Sequence, residues 1–404
     1  MDTQAFFTEH RNKLVELVGE GIFVFTAHTK IQQKADSEYR FSQDATFWYL
    51  SGINQPDWLL IIDGYSGRSY LVQPDIDVVH ELFTGALSAE QALKQSGVNE
   101  ILNPKQATQL LKKLAEKYTT VYGLGPDPYA KYYDFSLNPA PQKLWRRLQG
   151  IFGEVESCRK SLARLRARKS PEEVKLIKKS IDLTAAAFQE MKVRMPHVSY
   201  EYEIEAEFTY YFRRHNAIHA YDPIVASGAN ACTLHYTAND ATISDSNLVL
   251  IDIGASVDGY NADVTRTYAI DNDHVSGRQR NIHDSVARAH RDIISIVKPG
   301  LGLGQYSNYV DARMKEALME LDLLSDSSDQ DTYRHYFPHA VSHGLGIDVH
   351  ESFGGYSEFQ EGMVFTVEPG IYIPEEGIGV RIEDDILITE TGYENLSETI
   401  MTDL

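Results

Sequence analysis

Four acidic side chains stand where acids are costly to bury. Asp252 interrupts the apolar run Asn247-Leu-Val-Leu-Ile-Asp-Ile253, and Asp263 follows in Asn261-Ala-Asp-Val-Thr-Arg-Thr-Tyr268. Glu368 lies in Met363-Val-Phe-Thr-Val-Glu-Pro-Gly-Ile-Tyr-Ile373 and Glu383 in Gly379-Val-Arg-Ile-Glu-Asp-Asp-Ile386. Such carboxylates must be paired or bind a metal to offset their desolvation. Any one of them reads equally well as a solvent-facing edge-strand acid or as the partner of Arg266 or Arg381. All four read better as ligands, because the run Phe337-Pro-His-Ala-Val-Ser-His-Gly-Leu-Gly-Ile-Asp-Val-His-Glu351 between them carries His339, His343 and His350 in a glycine-rich, apolar setting. Oxygen ligands with one imidazole suit Mn2+ first, with Co2+, Zn2+ and Fe2+ compatible by ligand type. Four carboxylates exceed the need of one ion. Two divalent ions about 3.5–4 Å apart would balance the charge and generate a nucleophile at neutral pH.

Two hairpins would assemble these acids. Asp258-Gly259 is a strong two-residue turn signal. With that loop Val257 pairs with Tyr260, Asp252 lies opposite Thr265, and Asp252 and Asp263 become diagonal neighbours on one face. In the second hairpin Pro374 to Ile378 joins the strands. Glu368 and Glu383 are equidistant from the midpoint between Glu375 and Glu376, so an even-numbered turn makes them face each other.

The remaining chain must hold those hairpins in place. Its 404 residues, 43% hydrophobic and 11% aromatic, can bury more than one core, and the length suits about two or three domains. Strand-like segments Gly21–Thr26, Trp58–Asp63, Ser69–Gln73 and Val121–Gly125 alternate with amphipathic stretches, an α/β pattern. The locally basic segment Cys158–Ser170 departs from both flanks and reads as the domain connection, giving domains 1–157 and 158–404. It leads into Ser170-Pro171-Glu172-Glu173, a helix start with a serine N-cap, proline at the first helical position and glutamate three residues after the cap. Val174, Ile177, Ile181, Ala185 and Phe188 continue at helical spacing, and Tyr202–His215 and His283–Val297 read as further helices.

A net charge of −20 without long runs of like charge argues against a nucleic-acid partner and against docking on an anionic membrane. A small peptide or other small molecule fits better. Cys158 and Cys232 are too few for a disulfide framework and show no zinc-knuckle spacing. Met1–Lys13 lacks the apolar stretch of a signal peptide, and no segment approaches the roughly 20 apolar residues of a membrane span. The expectation is a soluble, cytoplasmic protein.

Six motifs in the second half carry a family resemblance: Leu234-His-Tyr-Thr237, Leu250-Ile-Asp-Ile-Gly254, Asp263-Val-Thr-Arg-Thr267, Ser342-His-Gly-Leu-Gly-Ile-Asp-Val-His350, Val367-Glu-Pro-Gly370 and Arg381-Ile-Glu-Asp-Asp385. On these the chain resembles the creatinase-fold, or pita-bread, metallopeptidases. Asp36-Ser-Glu-Tyr-Arg-Phe-Ser-Gln43 and Phe47-Trp-Tyr-Leu-Ser-Gly-Ile53 resemble the N-terminal domain of aminopeptidase P, with prolidase the near relative. The implied fold is α/β (α+β). An N-terminal creatinase-like α/β domain precedes a pita-bread catalytic domain, in which two pseudo-symmetric halves surround a curved antiparallel sheet with the ligands on its inner face.

The resemblance also assigns roles. It selects His343, which spacing leaves level with His339 and His350, as the fifth metal ligand beside Asp252, Asp263, Glu368 and Glu383, with Asp263 and Glu383 bridging two ions. His235, His339 and His350 match substrate-side histidines. Glu368 matches the proton acceptor, His350 or His339 matches a group that stabilises the developing oxyanion, and Arg381 matches a residue that orients ligands. Tyr372 reads as pocket wall or core.

The implied reaction releases the first residue from peptides with proline second. Prolidases instead cleave Xaa-Pro dipeptides and generally place an arginine before the Glu-Pro-Gly strand. Residues 351–367 contain no arginine, lysine or histidine, and Arg213 or Arg214 is the other source of such a charge. That segment is also shorter than in many aminopeptidases P. Methionine aminopeptidases share the five ligands but normally lack this N-terminal domain, and a binding module on the same fold would be expected to have lost ligands. The family further implies a homodimer or homotetramer through the N-terminal domain, where Phe47-Trp48-Tyr49 is either a contact or core.

Overall fold

A computed structural model of the protein describes residues 3–127, 130–133, 135–244 and 248–404. The chain divides into two compact units, Met1–Leu165 and Arg166–Leu404. The basic connector is itself helical, over Arg159–Ala167, and the division between the units falls within that helix. No helix among the described residues is long and apolar enough to cross a membrane.

The first unit is built on a six-stranded mixed sheet in the spatial order Glu100–Leu102, Arg68–Val72, Leu59–Asp63, Ile22–Thr26, Thr120–Gly123, Glu154–Ser157. The strand Ile22–Thr26 is buried along its whole length, as an unbroken apolar run between two covered faces requires. Helix Pro104–Ala115 starts on an Asn103 capping box with proline at its first turn and packs Ala107, Leu111 and Leu114 against Val24, Ile61 and Val121. Phe47 and Tyr49 are buried, so these two rings serve the core of this unit.

The second unit has two similar halves. In the first, helices Pro171–Arg194 and Glu201–Arg214 cover strands Leu248–Asp252 and Thr265–Ala269 through Phe188, Phe208, Val249, Ile251 and Val264. In the second, Gly277–Ser295 and Leu303–Glu320 cover Val364–Val367, Gly370–Ile373, Ile378–Arg381 and Asp384–Ile388 through Val286, Val310, Met314, Phe365 and Ile386. Burying one such side chain contributes about 1.5–3 kcal/mol. Each half therefore clamps its hairpin from the helical side and leaves the opposite face for polar groups. The Ser170 capping box forms as expected, with Pro171 at the first helical position. The third helix starts at Gly277, earlier than expected, because Ser276 and Gln279 form a capping box. Of the expected strand Asn247–Ile253, Asn247 lies outside the described residues.

Candidate metal centre

The first hairpin closes on Asp258 and Gly259 with φ of 51° and 84°, the paired positive values that a type I′ turn needs. Val257 pairs with Tyr260 and Asp252 with Thr265, the register expected from the turn. Past Asp252 the strands close up so far that a Cβ on Gly254 would lie 1.7 Å from the Ala262 carbonyl oxygen. Only glycine fits there. Asp252 and Asp263 meet at one hydroxyl: the Tyr221 oxygen lies 2.6 Å from an oxygen of each carboxylate.

In the second hairpin Ile373 pairs with Ile378, so the loop is the four residues 374–377 and Ile378 already belongs to a strand. The even count has the expected consequence. Val367 pairs with Asp384 on one side and Gly370 with Arg381 on the other, which places Glu368 opposite Glu383. The two hairpins are joined through Thr265 and Glu383, through Thr267 and Arg381, and through Arg266, which donates to Asp384 at 2.6 Å. Arg266 thus pairs with none of the four acids, whereas Arg381 donates to Asp252 at 2.5 Å.

His343 completes the cluster. Its Nδ1 lies 3.1 Å from the Gly344 carbonyl, which fixes the proton there and leaves the Nε2 lone pair facing Asp263 Oδ2 at 3.6 Å and Glu368 Oε1 at 3.4 Å. Burial pushes His343 down to about 4, so the ring is neutral and these are not ion pairs. Asp263, Glu368 and Glu383 are all held well above the usual carboxylate range, by burial first and then by neighbouring carboxylates: Asp252 and Asp385 on Asp263, Glu383 and Asp252 on Glu368, and Asp263 and Asp252 on Glu383.

Ligand atoms from Asp252, Asp263 and Glu383 lie within 4.8 Å of one another, as do those from His343, Glu368 and Glu383. Among the described residues no protein cation pairs directly with Asp263, Glu368 or Glu383. This crowded, undercompensated, oxygen-rich donor set fits two divalent cations. His350 also reaches such a group, with Asp263 and His343.

Around the cluster is a cavity of about 470 Å³ lined by Tyr221, His235, His339, His350 and Arg381 as well as the five acid and imidazole groups. Its size suits a small peptide. His339 places Nδ1 on the Ala340 carbonyl and Nε2 on the Tyr372 hydroxyl, 2.8 Å each. Arg381 donates to the same hydroxyl at 3.0 Å, so Tyr372 donates onward to His339 Nε2. Neither ring nitrogen of His350 has a hydrogen-bond partner among the described residues. Arg213 and Arg214 do not line the cavity.

Residues 175–390 match the metallopeptidase family M24, and residues 7–122 match the aminopeptidase P N-terminal domain. The chain belongs to metallopeptidase family M24. Among M24 relatives it is 34% identical to the Xaa-Pro aminopeptidase of Escherichia coli, over 98% of this chain and 95% of that one. It is 32% identical to the Xaa-Pro aminopeptidase of Haemophilus influenzae, over 98% and 94%. The solved structure of Escherichia coli aminopeptidase P with the inhibitor Pro-Leu is similar at a TM-score of 0.84 and 31% identity, covering 99% of this chain and 96% of the other. The pita-bread architecture expected for the M24 unit is therefore the one observed.

Within this M24 site, sequence reasoning passed over Tyr221. It reaches Asp252 and Asp263 from 31 and 42 residues away, and nothing local in Tyr221-Asp-Pro-Ile224 signals it. Thr265 was legible, since the turn register already set it opposite Asp252.

Proposed function

We propose that the chain is an Xaa-Pro aminopeptidase that releases the first residue from peptides with proline in second position, with residues 158–404 as the catalytic portion. The observation that carries this over the dipeptidase reading is the charge of the cavity wall. Among the described residues Arg381 is the one arginine or lysine on it, and that side chain is committed to Asp252 and Tyr372. No cation remains among the described lining residues to hold the carboxylate of an Xaa-Pro dipeptide.

Asp252, Asp263, His343, Glu368 and Glu383 would hold two divalent cations, Mn2+ by ligand type. Ions bound there would supply a water of lowered pKa and a Lewis acid for the scissile carbonyl. Glu368 accepts the proton of the attacking water. Because both nitrogens of His339 are engaged, the oxyanion donor is assigned to His350, whose nitrogens are free, while His339 with Tyr372 and Arg381 holds the opposite wall. His235 lines the substrate side.

The free thiols of Cys158 and Cys232 support placement in a reducing cytoplasm. A homodimer or homotetramer is the assembly that the resemblance implies, and sedimentation velocity reads it. A peptide panel under added Mn2+ tests the function. Release of the first residue from Xaa-Pro-Yaa tripeptides is expected. Cleavage confined to Xaa-Pro dipeptides would favour the dipeptidase, and no hydrolysis with any divalent ion would refute the peptidase reading.

A further inference from the structure

The basic stretch before Ser170 brings two charges, Arg166 and Lys169, to Glu351, the residue that follows His350. Arg166 Nη2 donates to Glu351 Oε1 at 2.6 Å, with Nε of the same guanidinium at 3.2 Å, and Lys169 Nζ donates to Glu351 Oε2 at 3.2 Å. The Arg166, Glu351 and Lys169 side chains are 11%, 5% and 2% exposed, so the charges are removed from water. A second acid, Asp348, takes Arg166 Nη2 at 2.6 Å from the solvent side.

Glu351 also closes a loop. Its backbone N–H and carbonyl exchange two hydrogen bonds with Gly344, at 2.8 and 2.9 Å, and Oε1 accepts the Ile347 N–H at 3.1 Å. The loop wraps the carboxylate so closely that a Cβ on Gly346 would come within 2.6 Å of Oε1. His343 precedes this loop and His350 stands just before its closing residue. Their rings meet edge to face, with centroids 4.5 Å apart.

A buried ion triad is a weak source of net stability, since apolar groups of like volume often do as well. Its geometric demand is strong, because each charge must be met by a partner in place. We propose that the Arg166–Glu351–Lys169 triad is a positioning device that holds His350 against His343 on the cavity wall. Glu351 is a positioning residue here, acting through His350. The catalytic consequence rests on the peptidase reading above, whereas the placement of His350 does not.

The test is a double-mutant cycle on the metal-loaded full chain, with E351Q, H350A and their combination assayed on Ala-Pro-Yaa. Glu351→Gln keeps the shape and the acceptor for Ile347 but removes the charge. E351Q should lower kcat/KM at least tenfold, mainly in kcat, with two metal ions retained, and should have less than a twofold effect once His350 is alanine. Additive losses, or unchanged kcat/KM in folded E351Q, would overturn the proposal. A second readout needs no turnover: in protein labelled with 13C at histidine Cε1, E351Q should shift or broaden the His350 resonance while that of His235 stays. An unmoved His350 resonance would overturn it equally. If E351Q does not fold, Glu351→Asp, which keeps the charge and shortens its reach, takes its place with the same expectations. Absence of Ala-Pro-Yaa turnover in the wild-type chain would count against the peptidase reading alone, because the resonance still reports on the triad.

Discussion

Thr265 and Glu383 are joined twice. The Glu383 N–H donates to the Thr265 carbonyl at 3.0 Å, and the Thr265 hydroxyl donates to Glu383 Oε2 at 2.6 Å. This is where one hairpin meets the other. A Thr265→Val variant keeps the volume and deletes the donor to a buried carboxylate. It should destabilise the metal-free protein by about 1–3 kcal/mol, measured by urea denaturation. Unchanged stability would show that Glu383 finds another donor.

Tyr221 is expected to tune the ions rather than the fold. Burial, then the charges of Asp252 and Asp263, hold its hydroxyl well above the usual tyrosine range, so it stays protonated as a donor. One hydrogen between two carboxylate oxygens orients both ligands. Tyr221→Phe should weaken divalent-ion affinity by about 10- to 100-fold in a chelator competition, with the melting temperature of the metal-free chain little changed.

Glu383 faces Glu368 and shares ligand-range contacts with both acid groups of the cluster. Glu383→Ala should abolish metal occupancy and turnover together. Metal analysis by mass spectrometry checks the first and the tripeptide assay the second. Full activity with intact metal content would refute the ligand assignment.

Glu351 gives a pH dependence with a definite sign. Burial pushes its carboxyl up, but the charges of Arg166 and Lys169 outweigh burial and hold it at about 2, below the usual 4.5. A group with a depressed folded value stabilises the native state above its unfolded value and loses that contribution as pH falls through the folded one. The stability gap between wild type and Glu351→Gln should be full above about pH 4.5 and shrink progressively towards pH 2. At neutral pH it should be about 3–5 kcal/mol, the cost of breaking a buried pair from one side. Denaturation midpoints across that range decide it, and a gap independent of pH would contradict the pairing.

What was legible in the sequence was local. Asp258-Gly259 specified a turn, the turn specified a register, and the register set Asp252 opposite Thr265. Ser170-Pro171 marked a helix start, and the alternating segments of the first 155 residues marked an α/β unit, because caps, turns and periodicity act over a few residues. The spacing of Glu368 and Glu383 made them face each other once the loop proved even.

Tertiary structure decided the partners that meet across long stretches of chain. Arg381 reaches Asp252 across 129 residues, and Arg166 reaches Glu351 across 185. Tyr221 enters between two acids from a third segment. It also separated the histidines, committing both nitrogens of His339 and turning Nε2 of His343 to the acids, a distinction that three imidazoles in one glycine-rich run do not carry. The reason is physical: a ligand's identity can be read from the chain, but the direction in which its lone pair points is set by the surfaces packed around it.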